Sequence, residues 1–349
     1  DAADPLWPDR DRFILSAGHA SILLYSMLYL TGYGLTLDDL RDFRQWGSAT
    51  PGHPEVGHTA GVEVTTGPLG QGLANAVGMA IAERNLRARF SVDLTDHHTF
   101  VVCGDGDLAE GISHEAASLA GHLGLGRLVA VYDDNHITID GPTELALSDD
   151  APARFRSYGW HVVELGEVAD DLDAIEKGLR AAMSVEDRPS LVVLRSHIGH
   201  PSPDVDTSAV HGYSLTSDGI KETKQQLGLP DEPFNVPDDV LSLYRSAGRR
   251  GAEARSKWEE RFDSAEFDRS QWDAAWSGGG IDGWEHALPS WEEGAAVATR
   301  KASNACLQAL LSVVPGLIGG GADLTGNTGT TISDHGVQGP DCPEGRQVF

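Results

Sequence analysis

Four short runs of apolar residues recur along the chain and predict β-strands at 99–103, 127–132, 161–164 and 190–195. The segments between them predict helices at 73–89, 113–123 and 171–183. Strands that are apolar throughout and alternate with helices indicate a parallel sheet that is covered on both faces. The sequence therefore predicts an α/β fold of three layers, α/β/α, with right-handed crossover connections.

The segments on either side of this alternating part have a different character. Before it, the pattern predicts a buried helix over 19–31, a helix over 36–45 with Thr36 as N-cap, and a short strand over 62–65. After His211, the pattern predicts charged helices over 216–227 and 237–262, then a helix over 295–314 and a strand over 317–320.

A glycine-rich break divides the chain. Residues 277–280 are Ser-Gly-Gly-Gly, which is typical of a flexible connection. We expect a large domain over 1–275, a linker over 276–292 and the beginning of a second domain over 293–349. Since the chain begins with Asp1 instead of Met and stops at Phe349 as a strand begins, we expect it to be incomplete at both ends.

Composition excludes several classes of partner. The 349 residues include 26 Lys and Arg but 53 Asp and Glu, a net charge of −27 that repels nucleic acid and anionic membrane surfaces. No run approaches the roughly 20 apolar residues of a membrane span. The three cysteines have no Cys-x-x-Cys spacing, so a disulfide framework or a zinc site is not expected, and we predict a reducing, cytoplasmic location.

Two polar residues follow neighbouring predicted strands. Asp105 lies in Gly104-Asp105-Gly106 after the strand at 99–103, and Asn135 follows the strand at 127–132. Ligands bind at the carboxyl ends of parallel strands, and carboxylate and amide oxygens suit Mg²⁺ or Ca²⁺. Gly-Asp-Gly alone is more often an ordinary turn, so the spacing to Asn135 is what favours a cation site that phosphate oxygens and water complete.

Further candidates lie in the loops near this edge. The segment Gly67-Pro68-Leu69-Gly70-Gln71-Gly72 follows a predicted strand and opens a helix, but its glycine spacing does not match a dinucleotide-binding loop. A tight turn with helix packing is equally consistent with it. Four histidines lie nearby, and each taken alone is more often structural: His19, His53, His200 and His211.

Taken together, these motifs resemble those of a transketolase, a thiamine diphosphate enzyme. They occur in family order through nearly the whole chain: LSAGH at 15–19, PGHPE at 51–55, TTGPLGQG at 65–72, GDGDLAEG at 104–111, YDDNHITIDG at 132–141, VHG at 210–212, ATRK at 298–301 and GGADLT at 320–325. The resemblance implies a thiamine diphosphate-binding fold, with the diphosphate-binding domain over 1–275 and the start of the pyrimidine-binding domain over 293–349.

The resemblance also implies residue roles around the cofactor. A divalent ion, Mg²⁺ or Ca²⁺, would be held by Asp105, Asn135 and the carbonyl of Ile137. The diphosphate would be contacted by Gly106, His19 and His211. The cofactor's rings would be positioned by Gly67 and Leu69 at the aminopyrimidine, by Ile139 and Ile198 at the thiazolium, and by Asp323.

Substrate and partner roles follow from the same resemblance. His53 and His211 would meet the donor sugar, and Arg300 and Asn327 would lie where the family binds a substrate phosphate. His19, His53 and His211 would move protons, since histidine titrates near neutral pH. Glu110 and Glu115 would join two sites across a homodimer, with Glu110 also serving the cofactor. A complementing C-terminal chain is the alternative partner.

The implied activity is transfer of a two-carbon glycolaldehyde unit from a ketose to an aldose, as in the pentose phosphate pathway. Asn327 stands where the family usually has serine, and Ser196-His197-Ile198-Gly199-His200-Pro201 is unusual. Two alternatives therefore stay open. One is a related enzyme, such as dihydroxyacetone synthase or a paralogue using unphosphorylated sugars. The other is a non-catalytic fragment, because the family's activating glutamate would lie beyond residue 349.

Overall fold

The computed structural model describes residues 1–349, which form two compact units. The first unit comprises Asp1–Ala82 and His97–Lys257, and the second comprises Glu83–Asp96 and Trp258–Phe349. The strands are β1 Arg12–Leu15, β2 Thr99–Gly104, β3 Leu128–Asp134, β4 Ile137–Thr138, β5 Gly141–Pro142, β6 His161–Gly166, β7 Ser190–Arg195, β8 Gly319–Gly320 and β9 Gln347–Val348.

The α-helices account for most of the remaining regular structure. They are α1 Ser21–Thr31, α2 Leu37–Arg41, α3 Gln71–Arg89, α4 Asp105–Ala109, α5 Gly111–Leu123, α6 Ala151–Ser157, α7 Leu172–Met183, α8 Ser217–Gln226, α9 Asp238–Arg249, α10 Gly251–Ser264, α11 Arg269–Ser277, α12 Thr299–Leu310 and α13 Thr325–Thr328. None of them is both long and apolar enough to cross a membrane.

A five-stranded parallel sheet organises the first unit. Its strand order is β1-β2-β3-β7-β6. The four strands predicted from apolar runs are all present, and the predicted parallel arrangement is confirmed. The edge strand β1 was not predicted, because it has only four residues and its apolar run, Phe13-Ile14-Leu15, is only three residues long.

The two faces of this sheet are buried by different helices, as the three-layer prediction requires. Successive strand residues point to opposite faces. Leu128 and Ala130 of β3 belong to one core with Leu73 of α3 and Ala117 of α5. Val129, between them, belongs to a second core with Ala182 of α7.

Three predicted elements of the first unit differ from those observed. The expected strand at 62–65 is a loop in which the Val62 side chain is buried beside α1, so its apolar character reflects core packing and not strand pairing. The helix expected over 36–45 ends at Arg41, although Thr36 forms the predicted cap with Asp39. The helix expected over 237–262 is interrupted at Arg250, directly before Gly251, a residue of low helix propensity.

The second unit is built around aromatic side chains. Trp272 is buried, and its ring lies 5.1 Å from Phe90, 5.4 Å from Phe262 and 5.6 Å from Phe267. These contacts explain why the unit begins at Trp258 and includes Glu83–Asp96. The predicted domain boundaries at 275 and 293 fall inside this unit, and they stay a prediction about the family's architecture.

The C-terminal elements of the second unit are shorter than expected. The helix expected over 295–314 covers Thr299–Leu310, and the strand expected over 317–320 covers only Gly319–Gly320. That short strand pairs in parallel with β9. The Arg346 side chain donates hydrogen bonds to the carbonyls of Leu311, Val314 and Leu317, which stabilises the turn between α12 and β8.

Candidate functional site

The ends of β2 and β3 lie side by side at the carboxyl edge of the sheet. Gly104 of β2 pairs in register with Asp133 of β3. Asp105 and Asn135 follow these positions and are both buried, at 6% and 8% exposed. The spacing that singled out these two residues in the sequence is therefore explained by adjacent strands.

Asp105 presents one carboxylate oxygen without a partner. Its Oδ1 accepts a hydrogen bond of 2.5 Å from the Tyr132 hydroxyl, while its Oδ2 is buried and accepts none. Burial raises the pKa of Asp105, the Tyr132 hydrogen bond opposes this rise, and the neighbouring Asp134 charge adds to it. A buried, unpartnered anionic oxygen is unfavourable by itself, and a bound cation would satisfy it.

The Asn135 side chain is oriented by its neighbours. Its Nδ2 donates to Asp133 Oδ2 at 3.0 Å, and its Oδ1 accepts from the Ile137 N–H at 2.9 Å. Ser196 Oγ donates to the other oxygen of Asp133. The amide oxygen therefore faces the turn that contains Ile137, and a carbonyl oxygen keeps a second lone pair.

The donor set fits a hard divalent ion that completes its coordination with other ligands. No group of three or more His, Cys, Asp or Glu side chains is arranged to hold a metal. The residues expected to bind the ion instead comprise one carboxylate, one carboxamide and one backbone carbonyl. This combination suits Mg²⁺ or Ca²⁺ when phosphate oxygens and water supply the rest.

A residue that the sequence analysis did not single out holds the site together. The Asp107 carboxylate is buried and accepts from Ser16 Oγ at 2.7 Å, from the Gly70 N–H at 2.8 Å and from the Gly104 N–H at 3.0 Å. Ser16 Oγ in turn accepts from the Leu73 N–H. Its only sequence signal was an acidic residue inside an otherwise small and apolar turn, two positions after Asp105.

The glycines bring loops into close contact around this edge. A Cβ atom on Gly106 would lie 3.0 Å from Leu69 Cδ1, so Leu69 packs directly over Gly106. Gly67 adopts a φ of +146°, and a Cβ there would lie 3.3 Å from the His53 ring. Gly106 therefore lies against Leu69, and Gly67 lies against His53, while the cofactor and substrate roles given to these residues stay predictions.

The candidate histidines are brought together in space. The rings of His19 and His53 meet edge to face, with centroids 4.7 Å apart. Burial lowers the pKa of His53, and the charges of His19 and Arg44 lower it further. Burial and the His19 charge likewise lower the pKa of His211, while the Asp105 charge raises it. Both histidines are therefore biased towards the neutral form, which can accept a proton.

Four other predicted site residues of the first unit lie at half-buried or exposed positions. Ile139 is 59% exposed and packs next to Gly212, which follows His211. Ile198 is half-buried in the loop after β7. Glu110 and Glu115, expected at a subunit interface, are both exposed. The roles assigned to these residues stay predictions.

The second unit contains three predicted site residues, and all are exposed: Arg300, Asp323 and Asn327. Arg300 Nη1 donates to the Asn327 carbonyl oxygen at 3.4 Å, so this arginine lies beside the position where a serine was expected. Asp323 adopts a positive φ of 58° in the turn after β8. The second unit thus brings Arg300 and Asn327 together at its surface.

Comparison with known proteins identifies the class. The chain belongs to the family described as "Transketolase, thiamine diphosphate binding domain", whose model matches residues 1–275. It is 49% identical over 348 residues to a transketolase of Nostoc sp., which covers 95% of this chain and 51% of that protein. It is 46% identical to a transketolase of Geobacillus stearothermophilus over 99% of this chain and 53% of that protein.

Solved structures give the same result. A transketolase of Pichia stipitis in complex with sedoheptulose-7-phosphate matches with a TM-score of 0.95 at 42% identity, covering all of this chain and 54% of that one. A transketolase of Leishmania mexicana matches with a TM-score of 0.95 at 41% identity and 53% coverage of that chain. The chain thus spans about half the length of the relatives it matches. The resemblance and the fold class stated from the sequence are confirmed.

The position of Asp107 yields a stability prediction. Replacing Asp107 with Asn puts an NH₂ group against the N–H and O–H donors that now meet a carboxylate. Losing charge-assisted hydrogen bonds in a buried position should lower the free energy of unfolding of the first unit by about 3 kcal/mol. Urea denaturation measures it. Asp42→Asn, at an exposed aspartate, is the control and should leave stability unchanged; an equal effect in both variants contradicts the assignment.

The histidine pair yields a titration prediction. Replacing His19 with Asn removes a positive charge that opposes protonation of His53, so the pKa of His53 should rise. It should remain below the usual value for histidine, because burial is the larger cause of the lowering. NMR titration of the His53 ring protons measures this. The control is His58→Asn, outside the pair, which should leave the pKa of His53 unchanged. An unchanged pKa of His53 in the His19→Asn variant would refute the coupling.

Proposed function

We propose that this chain holds thiamine diphosphate and a divalent cation, Mg²⁺ or Ca²⁺, in an enzyme that transfers a two-carbon unit from a ketose to an aldose. The observation that carries the proposal is the unpartnered, buried Oδ2 of Asp105 beside Asn135, within a thiamine diphosphate-binding family. The donor and acceptor are sugars or sugar phosphates, as in the pentose phosphate pathway.

The overall charge makes a bound cation necessary. With a net charge of −27, the protein repels a diphosphate unless local groups reverse the field. Asp105, Asn135 and the Ile137 carbonyl would hold the ion, whose positive charge would offset that of the diphosphate. Gly106 allows the backbone to approach the diphosphate, because it carries no Cβ. His19 and His211 would donate further hydrogen bonds to the diphosphate.

The chain's residues orient the reactants and handle protons. When bound, thiamine diphosphate supplies the nucleophile and the electron sink for cleaving the carbon–carbon bond next to the ketose carbonyl. Leu69 and Gly67 would position the aminopyrimidine, and Ile139 and Ile198 would contact the thiazolium. His53 hydrogen-bonds hydroxyls of the donor sugar. Since burial favours its neutral form, it can accept a proton from such a hydroxyl near neutral pH.

The remaining contacts require a second copy or a complementing chain. We infer a homodimer in which Glu110 and Glu115 lie at the interface. The partner subunit's site would then also use Arg300, Asp323 and Asn327. Arg300 would meet a substrate phosphate, and Asp323 would meet the cofactor.

The three cysteines are free, which supports a reducing, cytoplasmic location.

The cation site can be tested by binding. Replacing Asp105 with Ala in the full-length protein should lower the affinity for thiamine diphosphate in the presence of Mg²⁺ by about 100-fold or more. Loss of a ligand should exceed the roughly 10–100-fold effect of removing a partner of a ligand. Isothermal titration calorimetry measures the affinity without requiring turnover.

The matched control is Asp140→Ala, which removes an exposed carboxylate from the turn after the site. This variant should bind cofactor as the unmodified protein does. Equal affinities for the Asp105→Ala variant and the unmodified protein would remove the basis of the proposal.

Asn327 favours a second candidate, a related enzyme that takes unphosphorylated sugars. A carboxamide keeps one hydrogen-bonding group where a serine hydroxyl is usual, so phosphate binding would be weakened and not abolished. If the first candidate function holds, a panel of phosphorylated and free aldoses should give a higher kcat/KM for the phosphorylated acceptors. Asn327→Ser should increase that preference. A preference for free sugars would favour the second candidate.

A further inference from the structure

The hydrogen bond between Tyr132 and Asp105 determines which carboxylate oxygen is available. The Tyr132 hydroxyl meets Asp105 Oδ1 at 2.5 Å, whereas Oδ2 has no partner. A carboxylate can only accept, so the phenol donates. We propose that Tyr132 is a positioning residue that engages Oδ1 and leaves Oδ2 as the preferred oxygen for a divalent cation. This inference rests on the proposed function.

The position of Tyr132 is set by the sheet and its core. Tyr132 pairs with Cys103 across β2 and β3, two residues before Asp105. Its ring is 6% exposed and belongs to the core that also contains Ala130 and Val193. The hydroxyl therefore has a fixed location, and it restrains rotation of the Asp105 carboxylate. Groups that orient ligands in this way often tune metal affinity.

Tyr132 and Asp105 line a common cavity. Its volume is about 290 Å³, and its lining includes Asp134, Glu144 and Asp149. Within it, only Asp105 combines near-complete burial with an unpartnered carboxylate oxygen. The lining also contains Arg154, which is paired with Asp149, and His136, whose Nε2 lies 3.1 Å from Asp134. The position offered to a cation is therefore defined by the buried Oδ2 of Asp105 and not by the overall charge of the cavity.

The restraint has a consequence for the choice of ion. A carboxylate that already accepts a hydrogen bond from a phenol on one oxygen binds a cation preferentially through the other, unengaged oxygen. Mg²⁺ takes single oxygens in a strict octahedron, whereas Ca²⁺ readily accepts both oxygens of a carboxylate. Tyr132 should therefore favour Mg²⁺ over Ca²⁺, and freeing Oδ1 should reduce that preference.

Tyr132→Phe in the full-length protein tests the inference. Mg²⁺ and Ca²⁺ are titrated separately by calorimetry in the presence of saturating thiamine diphosphate. We expect Mg²⁺ affinity to fall about tenfold, in the range seen when ligand partners are removed, and Ca²⁺ affinity to fall less. The ratio of the two affinities is the diagnostic, because a general loss of structure would weaken both ions alike.

The matched control is Tyr158→Phe, which removes a phenol that hydrogen-bonds His114 at 3.1 Å and does not touch Asp105. It should leave the Mg²⁺ to Ca²⁺ ratio unchanged. An unchanged ratio in Tyr132→Phe overturns the inference and leaves the proposed function standing. If the unmodified protein binds neither cation with thiamine diphosphate, the proposed function itself fails, and the inference fails with it.

A measurement on the unmodified protein covers the case in which Tyr132→Phe does not fold. With tyrosine labelled with ¹³C at Cζ, bound Mn²⁺ broadens the signal of the nearest phenol and so identifies it among the seven tyrosines. In the Mg²⁺ complex this signal should keep the chemical shift of the hydrogen-bonded phenol. A shift to the value of a free phenol on Mg²⁺ binding would show that Oδ1 is released, and would overturn the inference.

Discussion

The candidate site depends on the buried carboxylate of Asp107. Three donors from three different segments converge on it: Ser16 after β1, Gly70 before α3 and Gly104 at the end of β2. Each donor lies next to a segment that bears candidate ligands, namely His19, Leu69 and Asp105. A single anionic group thereby sets the distances between loops that are far apart in sequence. Its hydrogen bonds offset the cost of burying its charge.

A second carboxylate two residues away has the opposite arrangement. Asp107 is fully hydrogen-bonded, whereas Asp105 keeps one buried oxygen without a partner. The first arrangement stabilises the loops, and the second leaves an unsatisfied charge that a cation can neutralise. This difference explains how an acidic protein can offer a binding site to a diphosphate. The field of the whole chain is unfavourable to an anion, and a cation held at Asp105 would reverse that field locally.

Some parts of the fold were predictable and others were not, for identifiable reasons. The strands β2, β3 and β7 are largely buried, so continuous apolar runs mark them in the sequence. The edge strand β6 is only partly buried, and the adjacent Val162 and Val163 mark it. β1 lies at the sheet edge and contains only the short apolar run Phe13-Ile14-Leu15, which is too short to predict a strand. The segment 62–65 shows the converse error, since Val62 is apolar because it packs against α1 and not because it pairs in a sheet.

The sequence by itself determined the fold class through its apolar runs and the family through its motifs, and it placed Asp105 and Asn135 at the ends of neighbouring strands, because all of these are local properties of the chain. Only the tertiary structure revealed the donors on Asp107, the free oxygen of Asp105 and the contact between His19 and His53. The interacting side chains are far apart in the sequence: His19 and His53 are separated by 34 residues, and Ser16 and Asp107 by 91. Such distant groups meet only after the strands have paired, and no local pattern records which atoms they present to one another.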